Sequence, residues 1–197
     1  MGEGVARMKG WDGDKAWSDV FMPQVCAILA SVLKVDLRCV AIADQTSDQK
    51  QNTDVFVAIS APHKLRVACR IREHKWAKCC GDEFTIRSKR SSGQQTELRK
   101  IQEGYGDFLF YGFADVDAAR VERWRILNLH AFRSWLKAAD VPVVKSNTDG
   151  SSEFAVYRVV DIPGIVAFES GSEVAVQSRR IGHDVYGNAY PPSWDLI

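Results

Sequence analysis

Apolar residues recur at helical spacing through Lys15–Leu33, where Val25, Ile28, Leu29, Val32 and Leu33 share one face. Pro23 suits the first turn of a helix, so the spacing predicts a core helix opening near Met22, with a shorter turn before it. The pattern then shortens to strand lengths. Asp36–Asp44 reads as a strand, residues 45–52 contain no apolar side chain and read as a surface loop, and Thr53–Ile59 begins a second strand with Asp54 at its mouth. A third strand follows a turn containing Pro62. In it Arg66, Ala68, Arg70 and Arg72 alternate with Val67, Cys69 and Ile71, and a period of two places the three arginines on one face of a sheet.

A fourth strand, Phe84–Arg87, again ends on an arginine. Beyond the Ser91-Ser92-Gly93 loop a short helix is predicted, capped by Thr96 or Gln95 and limited by Gly104 and Gly106. Its Leu98 and Ile101 turn inward, while Glu97 and Lys100, three apart, project together along another face. Phe108–Ala114 is a strongly aromatic fifth strand that stops at Asp115. A second long helix is predicted around Leu127–Ala138 with Leu129, Phe132, Trp135 and Leu136 as its stripe. Residues 147–152 form a turn cluster, Phe154–Val159 reads as a strand, and Ile165–Phe168 is a last apolar run. This order predicts an α/β (α+β) protein with a mixed central sheet flanked by helices. The expected organisation is a glycine-rich start at 1–13, one α/β domain over 14–170, and a peripheral extension at 171–197.

Composition changes this picture little: 197 residues, 46% hydrophobic and 26% charged, are ordinary for a globular protein. No stretch approaches the roughly 20 apolar residues of a membrane helix, and Met1-Gly2-Glu3-Gly4 does not open a signal peptide. A soluble, cytoplasmic protein is expected. The five cysteines suit free thiols in a reducing compartment, and Cys79-Cys80, with His74 upstream, lacks the second half of a zinc site. Charge changes more. Between Lys64 and Lys100 eleven Lys or Arg face four acids, a local +7 in a chain whose total is +1, so the remainder sums to −6. So concentrated a positive segment suits a polyanionic partner.

Metal-dependent phosphodiester hydrolysis needs carboxylates that hold divalent ions beside the scissile phosphate and a cation that offsets transition-state charge. Asp54 is the leading metal-ligand candidate because it begins a strand beside a polar segment. Glu97 supplies a second carboxylate and Lys100 a cation one turn away, while Arg70, Arg72 and Arg87 serve as phosphate clamps. The implied cofactor is Mg2+ or Mn2+, and the implied partner is nucleic acid, DNA first. Each residue also has an ordinary role. Asp54 suits a turn or cap, and Glu97 with Lys100 suits a solvated helix face. The strand arginines repel one another unless an anion, or Asp44, Asp48 and Glu83, neutralises them. Trp124 and Trp135 read as packing residues. His63, His74, His130 and His183 show no ligand or triad spacing, and no phosphate-binding glycine loop, nucleophile elbow or HExxH occurs.

The element order and the placing of Asp54 resemble the PD-(D/E)xK nuclease superfamily, whose restriction-endonuclease-like core carries an Asp on one strand and Glu-x-Lys on the next. Here that second position reads Cys69-Arg70-Ile71-Arg72, which cannot bind a cation. Some members of the superfamily move the acid to the following helix, and the resemblance then implies Glu97. The run Phe84-Thr85-Ile86-Arg87-Ser88, with Thr96-Glu97-Leu98, Lys100-Ile101, Gly104, Gly106-Asp107 and Tyr111-Gly112-Phe113, is also similar to phage and prophage proteins over about residues 36–168. That likeness implies no activity of its own. Two alternatives to a nuclease stay open: a non-catalytic nucleic-acid-binding module, and a phage-type protein that inhibits a host protein partner.

Overall fold

The computed structural model describes residues 16–139, 142–147 and 150–171. The expected start at 1–13, and all of the expected extension at 171–197 except Gly171, lie outside them. Helix α1 (Met22–Leu33) opens with Pro23 in its first turn and ends at Lys34, whose left-handed backbone (φ 54°) returns its N–H to the carbonyls of Ala30 and Ser31. Strand β1 (Val40–Ile42) is shorter than expected, because Leu37–Cys39 forms a 3-10 turn capped by Asp36.

The polar segment is not a loop but helix α2 (Gln45–Gln51), capped by Asp44, whose carboxylate accepts from Ser47 N at 2.7 Å. None of its residues is buried, so caps rather than packing delimit it. Strands β2 (Val55–Ser60) and β3 (His63–Arg72) form a hairpin, followed by helix α3 (Lys75–Cys80) and strand β4 (Glu83–Arg90). Helix α4 (Glu97–Gln102) is capped by Thr96, and β5 (Phe108–Ala114) is buried along its whole length.

Strand β6 (Val121–Asn128) was not anticipated, and it shortens the expected helix over Leu127–Ala138 to α5 (Leu129–Leu136), capped by Asn128. The charges of β6 disguise it. Arg125 Nε donates to Glu169 at 2.9 Å, its Nη1 to the Gly81 carbonyl at 2.7 Å and its Nη2 to Asp82 at 3.0 Å, so a half-buried arginine is fully engaged inside a strand. Strand β7 (Val143–Ser146), also unanticipated, precedes β8 (Ser152–Arg158), and β9 (Val166–Glu169) ends the described chain.

The fold is mixed α+β, with two sheets. The larger has the order β1-β2-β3-β5-β6-β9, antiparallel except where β3 runs parallel to β5. Strand β4 belongs instead to a second sheet of order β4-β8-β7. The period of two along β5 decides the layers. Phe108, Phe110 and Ala114 join Val67, Ile71 and the α1 residues Val25 and Leu29 on one face, while Leu109, Tyr111 and Phe113 join Ala68, Phe84, Ile86, Ile101, Phe132 and Tyr157 on the other. The helix α1 therefore covers one face, and α4, α5 and the small sheet cover the other. Trp124 stacks on Phe110 (5.9 Å between centroids) and Trp135 on Phe132 (6.3 Å), the packing roles expected of them. Among the described residues no helix is long and apolar enough to cross a membrane.

Candidate functional site

Strand β3 sends Val67 and Ile71 towards α1, so Arg66, Ala68, Arg70 and Arg72 face the second layer, as their alternation predicts. In the β2–β3 register Val55 lies opposite Val67 and Phe56 opposite Arg66. Asp54, one residue before Val55, therefore sits across from Ala68, on the arginine side. Its N–H donates to the Val67 carbonyl at 2.9 Å, and its Oδ2 accepts from Cys69 N at 2.6 Å. The thiol of Cys69 is pushed well up, first by burial and then by this carboxylate, which keeps it protonated and unreactive.

Glu97 and Lys100 do not form a solvated face: Glu97 is 9% exposed and Lys100 6%. Position alone explains this, because Thr96 fixes where α4 begins and Ile101, fully buried, turns the helix onto the second core. Arg70 Nη2 donates to Glu97 Oε2, and Arg87 N donates to the same oxygen at 3.3 Å. Lys100 Nζ donates to the Gln49 carbonyl, one of the last four of α2, where a helix has acceptors to spare. Desolvation, and then the Arg90 guanidinium, lower the pKa of Lys100, against the opposing pull of Asp48, Glu97 and Asp54.

Three carboxylates from separate elements, Asp48, Asp54 and Glu97, thus act on the buried Lys100 of α4 beside β3. Asp54 and Glu97 are tied to its neighbouring residues Cys69 and Arg70. Asp48, which joins them through α2, was read in the sequence only as a source of neutralising charge. Its one signal was a capped helix without an apolar stripe. Among the described residues no three His, Cys, Asp or Glu side chains stand together as a metal-ligand group.

The candidate clamps divide. Arg70 pairs with Glu97, and its guanidinium carbon lies 5.6 Å from the ring centroid of Phe154. Arg87 lies over the same ring at 5.5 Å, and Arg72 lies over Trp76 at 5.6 Å. Arg66, on the same face, is a structural residue: it takes both carboxylate oxygens of Asp107 and so joins β3 to the start of β5. Compared with protein-family models and with curated protein sequences, the chain matches none.

Proposed function

We propose that this protein binds nucleic acid, DNA first, and hydrolyses its phosphodiester bonds with Mg2+ or Mn2+. What carries the reading is that Asp54 and Glu97, far apart in the chain, attach to neighbouring residues of β3, with Lys100 buried in their field. With α2, α3 and β4 set aside as insertions, the order α1, β1, β2, β3, α4, β5, with one acid at the mouth of β2 and another on the helix that leads into β5, supports a restriction-endonuclease-like core in which the acid has migrated. A hydrated Mg2+ needs only one or two carboxylates, its other positions being filled by water and substrate phosphate, and the hard oxygens of Asp54 and Glu97 fit that requirement. Bound there, the metal supplies charge neutralisation and a more acidic water.

The chain's own residues do the rest. Arg70 holds Glu97 in the resting protein, and because a guanidinium binds phosphate as well as carboxylate, an arriving strand draws Arg70 to itself and releases Glu97. Lys100, fixed by the Gln49 carbonyl, presents a positive charge to the phosphate as negative charge develops. In a nuclease assay with Mg2+ or Mn2+, Asp54→Ala and Glu97→Ala each abolish cleavage and keep binding. Cleavage by both variants at the parent rate would remove the assignment.

A second reading is favoured by a specific observation. Glu97 already has Arg70 and Lys100 already has a helix carbonyl, so the same groups could serve architecture in a non-catalytic nucleic-acid-binding or inhibitor module. Salt-sensitive binding without cleavage in either metal selects it.

A further inference from the structure

A cleft of about 250 Å³ opens between the outer face of the small sheet and the ends of β3 and β5. Its walls include Trp76 of α3, Phe154 of β8, Tyr111 of β5 and Thr85 of β4, with Arg72 and Lys145 among its cations. The register aligns Lys145, Phe154 and Arg87 in one cross-strand row, so aromatic surface and positive charge alternate along this wall. The cleft meets the carboxylate cluster through Phe154, whose ring carries the guanidinium of Arg70, the partner of Glu97. Arg70 and Arg72 are two residues apart on one face of β3, which spaces them by about 7 Å.

We propose that this cleft receives one unpaired nucleobase of a single-stranded or locally opened nucleic acid whose phosphates run along Arg70 and Arg72. The inference rests on the nucleic-acid reading above and adds the substrate class. Size is the first argument: the volume falls just below the roughly 300–1,000 Å³ of ordinary ligand pockets, enough for one ring system and too little for a larger ligand. The lining is the second. A base stacks on aromatic rings whatever its identity, and Trp76, 39% exposed although large and apolar, offers one whose present cover is the ends of the long side chains Arg72 and Lys75. Polar groups at the edges are the third. The hydroxyls of Thr85 and Tyr111 lie 3.4 Å apart, and Glu83 supplies the acceptor that an exocyclic amino group needs. A base held in a duplex cannot enter such a cleft without leaving its stack.

The test is binding in EDTA, by fluorescence anisotropy, of a short oligonucleotide as a single strand and as a perfect duplex. The single strand is expected to bind at least about tenfold tighter. Trp76→Ala should remove about tenfold or more of that affinity, the loss of one stacked base, while leaving duplex binding unchanged. Phe154→Leu, which keeps apolar bulk under the arginines, should act in the same direction. A strand carrying 5-iodouracil should photocrosslink to the peptides containing Trp76 or Phe154. Equal affinity for the two forms, together with a silent Trp76→Ala, overturns the proposal, as does a mononucleotide bound as tightly as the oligonucleotide or a polyglutamate peptide that takes the cleft instead. If metal-dependent cleavage persists while Trp76→Ala is silent, the cleft alone is refuted. If single-strand preference and its loss in Trp76→Ala hold without cleavage in any metal, only the nuclease reading falls.

Discussion

Lys100 shows how one residue can be costly to the fold and informative about function. A lysine ammonium buried to 6% exposure loses hydration, and the Arg90 guanidinium adds repulsion, so its folded pKa lies below the unfolded value of about 10.4. The sign follows from proton counting. At a pH below both values each state holds the proton and the folded protein carries the whole desolvation cost. Between the two values the unfolded chain binds more protons than the folded one, and stability rises with pH. Above both, the cost is gone. Other groups titrate in this range, so the comparison is with Lys100→Met, which shares all of them. The stability of the parent relative to Lys100→Met is therefore expected to increase as pH rises from 7 towards 10.5, read from urea midpoints across that range. A flat or falling difference shows that the ammonium is not destabilised where it sits. Glu97 illustrates the converse. Its carboxylate is nearly buried but has a guanidinium partner, so Glu97→Ala leaves Arg70 in place without it, at a cost of about 3 kcal/mol.

Helix α4 carries both Glu97 and Lys100 in only six residues, too few to be stable alone, so its caps matter out of proportion to its length. Thr96 Oγ1 accepts from Arg99 N at 3.2 Å. Thr96→Ala is expected to lower stability by about 1 kcal/mol in urea unfolding and to reduce cleavage, whereas Thr96→Ser restores both. If Thr96→Ala unfolds at the parent's midpoint, the cap is dispensable. This helix was legible in the sequence because a cap, an inward Ile101 and two terminating glycines agree. So were β3, through its alternation, and β5, through an unbroken apolar and aromatic run that is buried on both faces. Strand β6 was hidden because Arg123 and Arg125 break the apolar pattern and find Asp82 only through the fold. Helix α2 was hidden because it buries nothing. At the site, an acid beginning a strand and another beginning a helix are local signals. The cleft is not, since it depends on β4 leaving the central sheet to place Arg87 opposite Phe154.

Over the whole molecule, the +7 of residues 64–100 exceeds the charge the fold leaves for a partner. Arg66, Arg70, Lys75, Lys89 and Arg99 of that segment each pair with a carboxylate. Those at the surface are worth little and are screened by salt, but they still cancel positive potential at the distance from which a polyanion approaches. The lining of the cleft adds Arg72 and Lys145, and Arg87 stands beside it in the same cross-strand row as Lys145; Arg72 and Arg87 each lie on an aromatic ring. Each phosphate neutralised on a single strand releases condensed counterion, so contacts by Arg70 and Arg72, with Arg87 as the third clamp, predict that log K falls with log salt concentration at a slope of about −2. Arg87→Gln should make that slope shallower by about 0.7, whereas Arg99→Gln, on the exposed surface of α4 and paired with Glu103, should leave it nearly unchanged. Anisotropy titrations with a single-stranded oligonucleotide at several salt concentrations in EDTA measure all three slopes. A slope near zero in the parent means that no polyanion is bound through this wall, and equal slopes in the two variants mean that the positive charge acts diffusely rather than from the cleft.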